Sequence, residues 1–245
     1  MTKIDETIDK LRQLRLLCMA EHLNETLEGE KKHNRGFLWM LNHLLDLENE
    51  ARWKRAIENR VRNSKLIDKF LISDFDFDFD ISRKTHRSQI LGLLECDFIE
   101  EKKDVILIGP PGAGKTRIAK TIAYQACLKN NKVLFTTAID MINHLIAAQV
   151  DHSLLKKLKY YQSPALLVCD ELGFLSLDEL SSNLFFQVLS ERHGKASTVV
   201  TTNQPFSQWA EIFQSAVIAQ AIADRLVENS EIVLLTGPSY RQKNK

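Results

Sequence analysis

Apolar residues recur every three to four positions from Ile4 through Ile8, Leu11 and Leu14 to Leu16, Leu17, Met19, Leu23 and Leu27. That is the period of a helix with one buried face. Proline is absent from the first hundred residues, so nothing forces a break. Gly29 and Gly36 bracket a polar turn, Glu30–Arg35. A second long helix is expected from about Phe37 to Ser64, apolar in its first half (Phe37, Leu38, Trp39, Leu41, Leu44) and basic in its second. The first seventy residues therefore read as helix.

The string Phe75-Asp76-Phe77-Asp78-Phe79-Asp80 alternates strictly, which predicts an extended segment whose aromatic side docks while the aspartates stay in water. Alternating carboxylates without a turn glycine do not make an EF-hand loop. This stretch is taken as the boundary between a helical N-terminal domain, 1–72, and a second domain, 73–245. From Asp104 the pattern changes to short apolar runs: 105–108, 133–135, 165–169, 198–201 and 232–235. Helical segments separate them. Strand and helix in alternation predict a three-layer α/β domain with a mostly parallel sheet.

The first apolar run leads into Gly109-Pro110-Pro111-Gly112-Ala113-Gly114-Lys115-Thr116, which fits G-x-x-x-x-G-K-[ST], and a helix is expected from Arg117 to Lys129. Glycines let a backbone wrap phosphates with its N–H groups inward, and the following helix directs its positive dipole end at them. Lys115 is assigned to the β- and γ-phosphates and Thr116 to Mg2+; Arg117 joins the loop as a nucleotide-contact candidate. Fifty-four residues beyond Lys115, the run Leu166-Leu167-Val168-Cys169 ends in Asp170-Glu171. A carboxylate at the end of a buried parallel strand arrives where ligands sit. Asp170 is expected in the Mg2+ shell and Glu171 as the group that polarises the attacking water. Asn203, closing the run Thr198–Thr202, is placed to sense the γ-phosphate or hold that water.

Composition narrows the classes. Of 245 residues, 33 are basic and 32 acidic, a net charge of +1. That excludes a uniformly basic nucleic-acid coat and leaves room for a local basic face. Arg52 to Lys69 carries seven basic and two acidic residues around Trp53, with Arg52, Arg55, Arg60 and Arg62 as candidate DNA contacts. Lys156, Lys157 and Lys159, just before Tyr160-Tyr161, form a second candidate patch. Neither shows base readout, so contact would be backbone-driven and salt-sensitive. Cys18, Cys96, Cys127 and Cys169 lie far apart with no C-x-x-C, and no histidines pair at H-x-x-x-H spacing. Buried free thiols are expected in place of zinc or disulfides. No apolar run approaches a membrane span, and the acidic start Met1–Glu6 leads into no signal sequence, so a cytoplasmic protein is expected.

The order of phosphate loop, Asp-Glu strand and Asn-terminated strand resembles an AAA+ ATPase. Finer wording is similar to IstB, the transposition helper ATPase of insertion sequences. The strings that carry it are Cys169–Leu175, Phe185–Arg192, Thr201–Trp209, Ala223-Asp224-Arg225-Leu226 and Gly237-Pro238-Ser239-Tyr240-Arg241. The helical N-terminal region and the Asp-Phe stretch also match, so the resemblance covers nearly the whole chain. It implies an AAA+ sandwich without a separate lid domain, behind a small helical domain. It implies ATP and Mg2+ as cofactors, and ATP hydrolysis between subunits of a homo-oligomer. Arg225 would be the arginine finger inserted into a neighbour's site, and Arg241 a sensor-like arginine. The partners implied are duplex DNA and the element's transposase, with hydrolysis controlling disassembly. AAA+ initiators and loaders often meet DNA between the second and third strands, where the 156–159 patch falls. Two departures stand near the expected subunit contact: Val227-Glu228-Asn229 after Asp-Arg-Leu, where a histidine is usual, and Gln214-Ser215 where Gly-Asp is common. The alternatives are a DnaC-like helicase loader, whose N-terminal helices would grip a helicase, and a non-catalytic adaptor switched by ATP. An intact Asp-Glu pair argues against the adaptor.

Overall fold

The N-terminal periodicity folds as separate helices. The computed structural model describes residues 2–33 and 35–242, and these divide into one unit ending at Asn59 and another beginning at Arg60. Helix α1 (Lys3–Gln13) opens on a capping box between Thr2 and Asp5. It stops at Leu14, and Arg15 takes a left-handed φ of 59°. α2 (Leu17–His33) restarts because the buried Glu48 carboxylate, on α3 (Phe37–Asn63), accepts from the amides of Cys18 (2.8 Å) and Met19 (3.2 Å). That cap satisfies orphan donors of the new helix from thirty residues away, so no local signal announces the break. Met19, Leu23 and Leu44 form the small core of this unit. α2 runs through Gly29 to His33, so the polar turn expected at 30–35 shrinks to the residues just before Phe37. Asn34 of that turn lies outside the described residues.

In the second unit the Asp-Phe alternation does not make a strand. A 3-10 turn (Ile72–Asp74) leads into bends, then α4 (Ile81–Thr85), α5 (Arg87–Leu93) and α6 (Asp97–Glu100). Phe75 and Phe77 are buried. Asp80 accepts from the Arg83 amide (3.0 Å) and caps α4, which pulls the chain out of an extended path.

Five parallel strands follow: β1 (Asp104–Ile108), β2 (Val133–Thr137), β3 (Leu166–Leu172), β4 (Ser197–Thr202) and β5 (Ser230–Leu234), in the order β2-β3-β4-β1-β5. α7 (Lys115–Leu128) joins β1 to β2 and packs on one face of β1–β4. α8 (Ala138–Val150), α9 (Leu154–Gln162), α10 (Glu179–Arg192), α11 (Trp209–Phe213) and α12 (Ala216–Glu228) belong to connections running the other way along the sheet. Right-handed crossovers send those to the opposite face. Ile106, Met141, Leu167, Phe185, Trp209 and Ile222 are among the side chains buried there.

The sheet's other end is held by a buried charge system. Arg192 donates to the carbonyls of Tyr161 (3.2 Å), Gln162 (3.0 Å) and Pro164 (2.8 Å), to that of Ser197, and to Thr198 Oγ1 (3.1 Å). Asp104 accepts from the Thr198 amide at 2.6 Å, and burial pushes its carboxyl up to about 6. Burial likewise brings Arg192 down to about 10, so the guanidinium stays charged at neutral pH. All four cysteines are free thiols; Cys96, Cys127 and Cys169 are buried and Cys18 partly so. Among the described residues no helix is long and apolar enough to cross a membrane.

Candidate nucleotide site

The loop Gly109–Gly114 leaves β1 at the sheet's carboxyl end and enters α7 at Lys115. Two of its glycines are needed where they stand. Gly114 (φ 106°) would bring a Cβ to 2.8 Å from the Phe75 ring, and Gly112 (φ 82°) would drive one into the Ser239 side chain. Both conflicts come from segments remote in sequence. The Tyr240 amide donates to Gly112 O (3.0 Å), which fixes the C-terminal turn against the loop.

On the other side stands Arg83, 2% exposed. Its Nε and Nη2 donate to Ala113 O at 3.2 and 3.0 Å, and Nη1 donates to Asp76 O at 3.2 Å. It pairs with Asp80 at 3.2 Å, and its Cζ lies 4.8 Å from the ring centres of Phe75, Phe79 and Tyr240. Burial lowers its pKa from the usual guanidinium value, and Asp80 opposes that shift. A planar five-donor cation among ring faces suits this cage as lysine would not. The aromatic side of the Phe-Asp alternation thus docks, and its target is the Arg83 guanidinium and the glycine loop that it holds.

Lys115 Nζ donates to the carbonyls of Gly109 (2.6 Å) and Pro110 (2.9 Å). Burial holds its ammonium below the usual lysine range, while Asp170 pulls the other way. These carbonyl contacts keep a cation at the loop's mouth, where phosphate oxygens are stronger acceptors.

The third part is the end of β3. Asp170 is 3% exposed, and its Oδ1 accepts from Thr116 Oγ1 at 3.1 Å and from Thr201 Oγ1 on β4. The same Thr201 oxygen accepts from the Glu171 amide at 3.0 Å. Glu171 has φ 61°, and the β3–β4 register breaks between Cys169 and Leu172. This bulge turns the exposed Glu171 away from its buried neighbour, so adjacent carboxylates meet different surroundings. Thr116 and Asp170 are hard oxygen donors separated by about the edge of an octahedron with Mg2+–O bonds of about 2.1 Å. The pair fits that ion.

A cavity of about 270 Å3 joins the loop to the cage, lined by Gly112, Gly114, Lys115, Thr116, Arg117 and Arg241 together with Phe75, Arg83 and Tyr240. Asp170 and Glu171 do not line it, and Asp170 reaches it through its bond with Thr116. Asn203 is exposed one residue beyond Thr202, whose carbonyl accepts from the Gly109 amide (3.2 Å), so it stands at the same sheet edge. Arg225 does not line the cavity. It donates to Ala221 O (3.0 Å) and its Cζ lies 4.6 Å from the Phe186 ring centre. Sequence reasoning gave Arg83, Thr201, Ser239 and Tyr240 no individual role, although Thr201, Ser239 and Tyr240 stand in the strings that carry the family resemblance.

The candidate DNA residues scatter. Arg52 and Arg55 sit 2.9 and 3.8 Å from the buried Glu48, and Arg52 also donates to Arg15 O (3.2 Å). Arg60 bonds Asn130 in the second unit, and Arg62 is exposed near the end of α3. Lys156 and Lys159 are exposed on α9, while Lys157 lies 5.5 Å from the Tyr160 ring centre.

The family model of IstB-like ATP binding proteins matches residues 9–245. An insertion sequence IS5376 protein of Geobacillus stearothermophilus, named for ATP binding, is 36% identical over 233 residues, covering 95% of this chain and 92% of its own. The IS232 counterpart of Bacillus thuringiensis subsp. berliner is 32% identical over 234 residues, covering 96% and 93%. Among solved structures, DnaI aligns with a TM-score of 0.56 at 24% identity over 71% of this chain and 90% of its own. AMPPCP-bound DnaA from Aquifex aeolicus gives 0.57 at 16% identity over 68% and 50%. These two likenesses concern the fold.

Proposed function

The chain belongs to the IstB-like ATP binding protein family of AAA+ proteins, and from that premise we propose that this ATP-binding helper of an insertion sequence hydrolyses ATP to control its own assembly on DNA. One observation carries the hydrolytic reading: Thr201 ties the buried Asp170 to the backbone of the exposed Glu171 beside the phosphate loop. A binding-only site has no need of a second carboxylate held at such an angle.

In this reading the loop amides and Lys115 bind the β- and γ-phosphates, and Lys115 exchanges its contacts to Gly109 O and Pro110 O for phosphate oxygens. Thr116 and Asp170 would hold Mg2+, which supplies charge neutralisation across the phosphates. Glu171 orients water and accepts its proton as the oxygen attacks the γ-phosphorus; the bond to the β–γ bridging oxygen breaks, giving ADP and phosphate. Asn203 helps hold that water. Arg241, on the cavity wall, stabilises phosphate charge from within the chain. Arg225 acts on the site of a neighbouring copy, which accounts for its position away from its own cavity. ATP then sits between subunits, favouring an oligomer on duplex DNA that recruits or stimulates the transposase; hydrolysis loosens it.

The test is ATPase rate per subunit against protein concentration, without DNA and with duplex or single-stranded DNA. A rate rising with concentration and with duplex supports the reading. Preferential stimulation by single strands supports helicase loading, and ATP binding without turnover supports an adaptor. Glu171→Gln is expected to bind ATP and remain on DNA; wild-type turnover in that variant would remove Glu171 from the mechanism.

A further inference from the structure

The end of the first basic stretch, Arg60 and Lys65, and Lys157 of the second, about ninety residues on, meet at one edge of the sheet. β2 is the edge strand, and the Phe135 amide donates to Ser64 O at 2.7 Å, so the segment following α3 runs beside it. Two hollows of about 540 and 610 Å3 adjoin there and share Lys65, Leu134 and Tyr160. Arg60 and Lys132 line the first, and Lys157 the second. The floor is apolar, with Val133 and Leu134 buried.

Charge along this groove is one-sided. Arg60, Lys65, Lys132 and Lys157 face it against one carboxylate, Asp140, with His144 beside the latter. Arg60 Nη2 bonds Asn130, but its Nη1 is buried with no hydrogen-bond partner among the described residues. A buried guanidinium nitrogen without an acceptor is costly, and no carboxylate lines the hollow that Arg60 borders. Lys132 donates to a neutral hydroxyl, Ser163 Oγ at 3.1 Å, and pairs with no carboxylate among the described residues. Tyr160, 42% exposed, adds a ring face between the two hollows.

We propose that this groove along β2 binds a DNA sugar–phosphate backbone, with Arg60, Lys65, Lys132 and Lys157 as its phosphate contacts. The inference rests on the DNA-binding reading above and narrows it. It also divides the 156–159 patch: the buried side of α9 is Leu158 and Tyr161, Lys157 and Tyr160 border it, and Lys156 and Lys159 sit farther round the helix. No base edge is read, so the contact is indifferent to sequence.

Two charge-matched variants test it in the full chain with ATP and Mg2+, by fluorescence anisotropy on duplex and single-stranded oligonucleotides across a salt series. Lys65→Ala/Lys132→Ala is expected to lower the slope of log affinity against log salt by about 2, and to weaken binding nearly a hundredfold at 0.1 M salt, since each released counterion is worth almost a decade there. Lys156→Ala/Lys159→Ala is expected to bind within threefold of wild type with the slope unchanged. Equal losses in the two variants, or loss in the second alone, would overturn the groove while leaving DNA binding intact. A wild-type protein that binds neither oligonucleotide would remove the DNA reading itself, and the groove with it. Both variants change exposed side chains, and equal melting temperatures establish that each is folded.

Discussion

Arg83 is where one substitution separates the stability of the second unit from its grip on nucleotide. Arg83→Met leaves the Asp80 carboxylate without its ion pair and removes the donors that satisfy Ala113 O and Asp76 O. Breaking a buried pair from one side costs about 3–5 kcal/mol, and at about 2–4 °C per kcal/mol the melting temperature should fall by roughly 10 °C. Arg83→Lys is the sharper probe, because it keeps the charge beside Asp80 and loses the planar fork. An ammonium cannot place two parallel donors on Ala113 O while also reaching Asp76 O, so the cost is about 1–3 kcal/mol. The released peptide lies inside the phosphate loop. Its carbonyl is now held toward Arg83; once free to turn, it competes with the N–H groups that face an anion. ATP affinity should weaken about tenfold, equivalent to about 1.4 kcal/mol, while adenosine affinity stays within twofold. The assay is nucleotide titration by calorimetry beside thermal melting. Ser182→Ala serves as a control: it removes a buried hydroxyl bonded to Leu177 O and Phe213 O and should lower the melting temperature without changing ATP affinity. ATP binding by folded Arg83→Lys within twofold of wild type would refute the argument.

Thr201→Val removes the hydroxyl between Asp170 and the Glu171 amide and should cut steady-state phosphate release at least tenfold with ATP affinity nearly intact. Thr201→Ser, which keeps the hydroxyl, should retain most of the rate, whereas wild-type turnover in Thr201→Val would mean that the hydroxyl does not matter. Lys115→Ala should lose ATP affinity by at least two orders of magnitude in equilibrium titration, since the loop's own cation is gone. Asp104 supplies a pH dependence whose sign follows from its raised pKa. Its carboxyl titrates near 6 when folded against an ordinary 3.8, so between those values the folded chain binds more protons than the unfolded one. Its contribution to stability therefore falls as pH rises through that window, by about 3 kcal/mol in all. Asp104→Asn, which can still accept from the Thr198 amide, should gain stability relative to wild type at pH 7 compared with pH 4.5 in urea denaturation; a constant difference would refute it.

The chemistry-bearing strings are legible because they are contiguous. A buried parallel strand must be apolar along its length, a phosphate loop must put glycine at fixed offsets, and a helix must follow to close the anion site. Those local demands mark out β1, the loop and α7, and the Asp170-Glu171 strand from the order of residues alone. They do not show where the first helix breaks, because the cap on α2 comes from Glu48. Nor do they show that the Phe-Asp alternation becomes bends and a capped helix, because period alone does not reveal the docking surface offered by the loop.

By itself, then, the sequence determined the α/β class, the glycine loop between β1 and α7 and the carboxylates that close β3, since each is written in adjacent residues with a fixed period or spacing. Only the tertiary structure decided what surrounds them: Arg83 on Ala113 O, Thr201 between Asp170 and Glu171, Ser239 against Gly112, and Lys65 with Lys132 along β2. Each joins residues about thirty to well over a hundred positions apart. Such contacts arise when packing and hydrogen-bond satisfaction bring distant elements together, and no periodicity along the chain encodes that meeting.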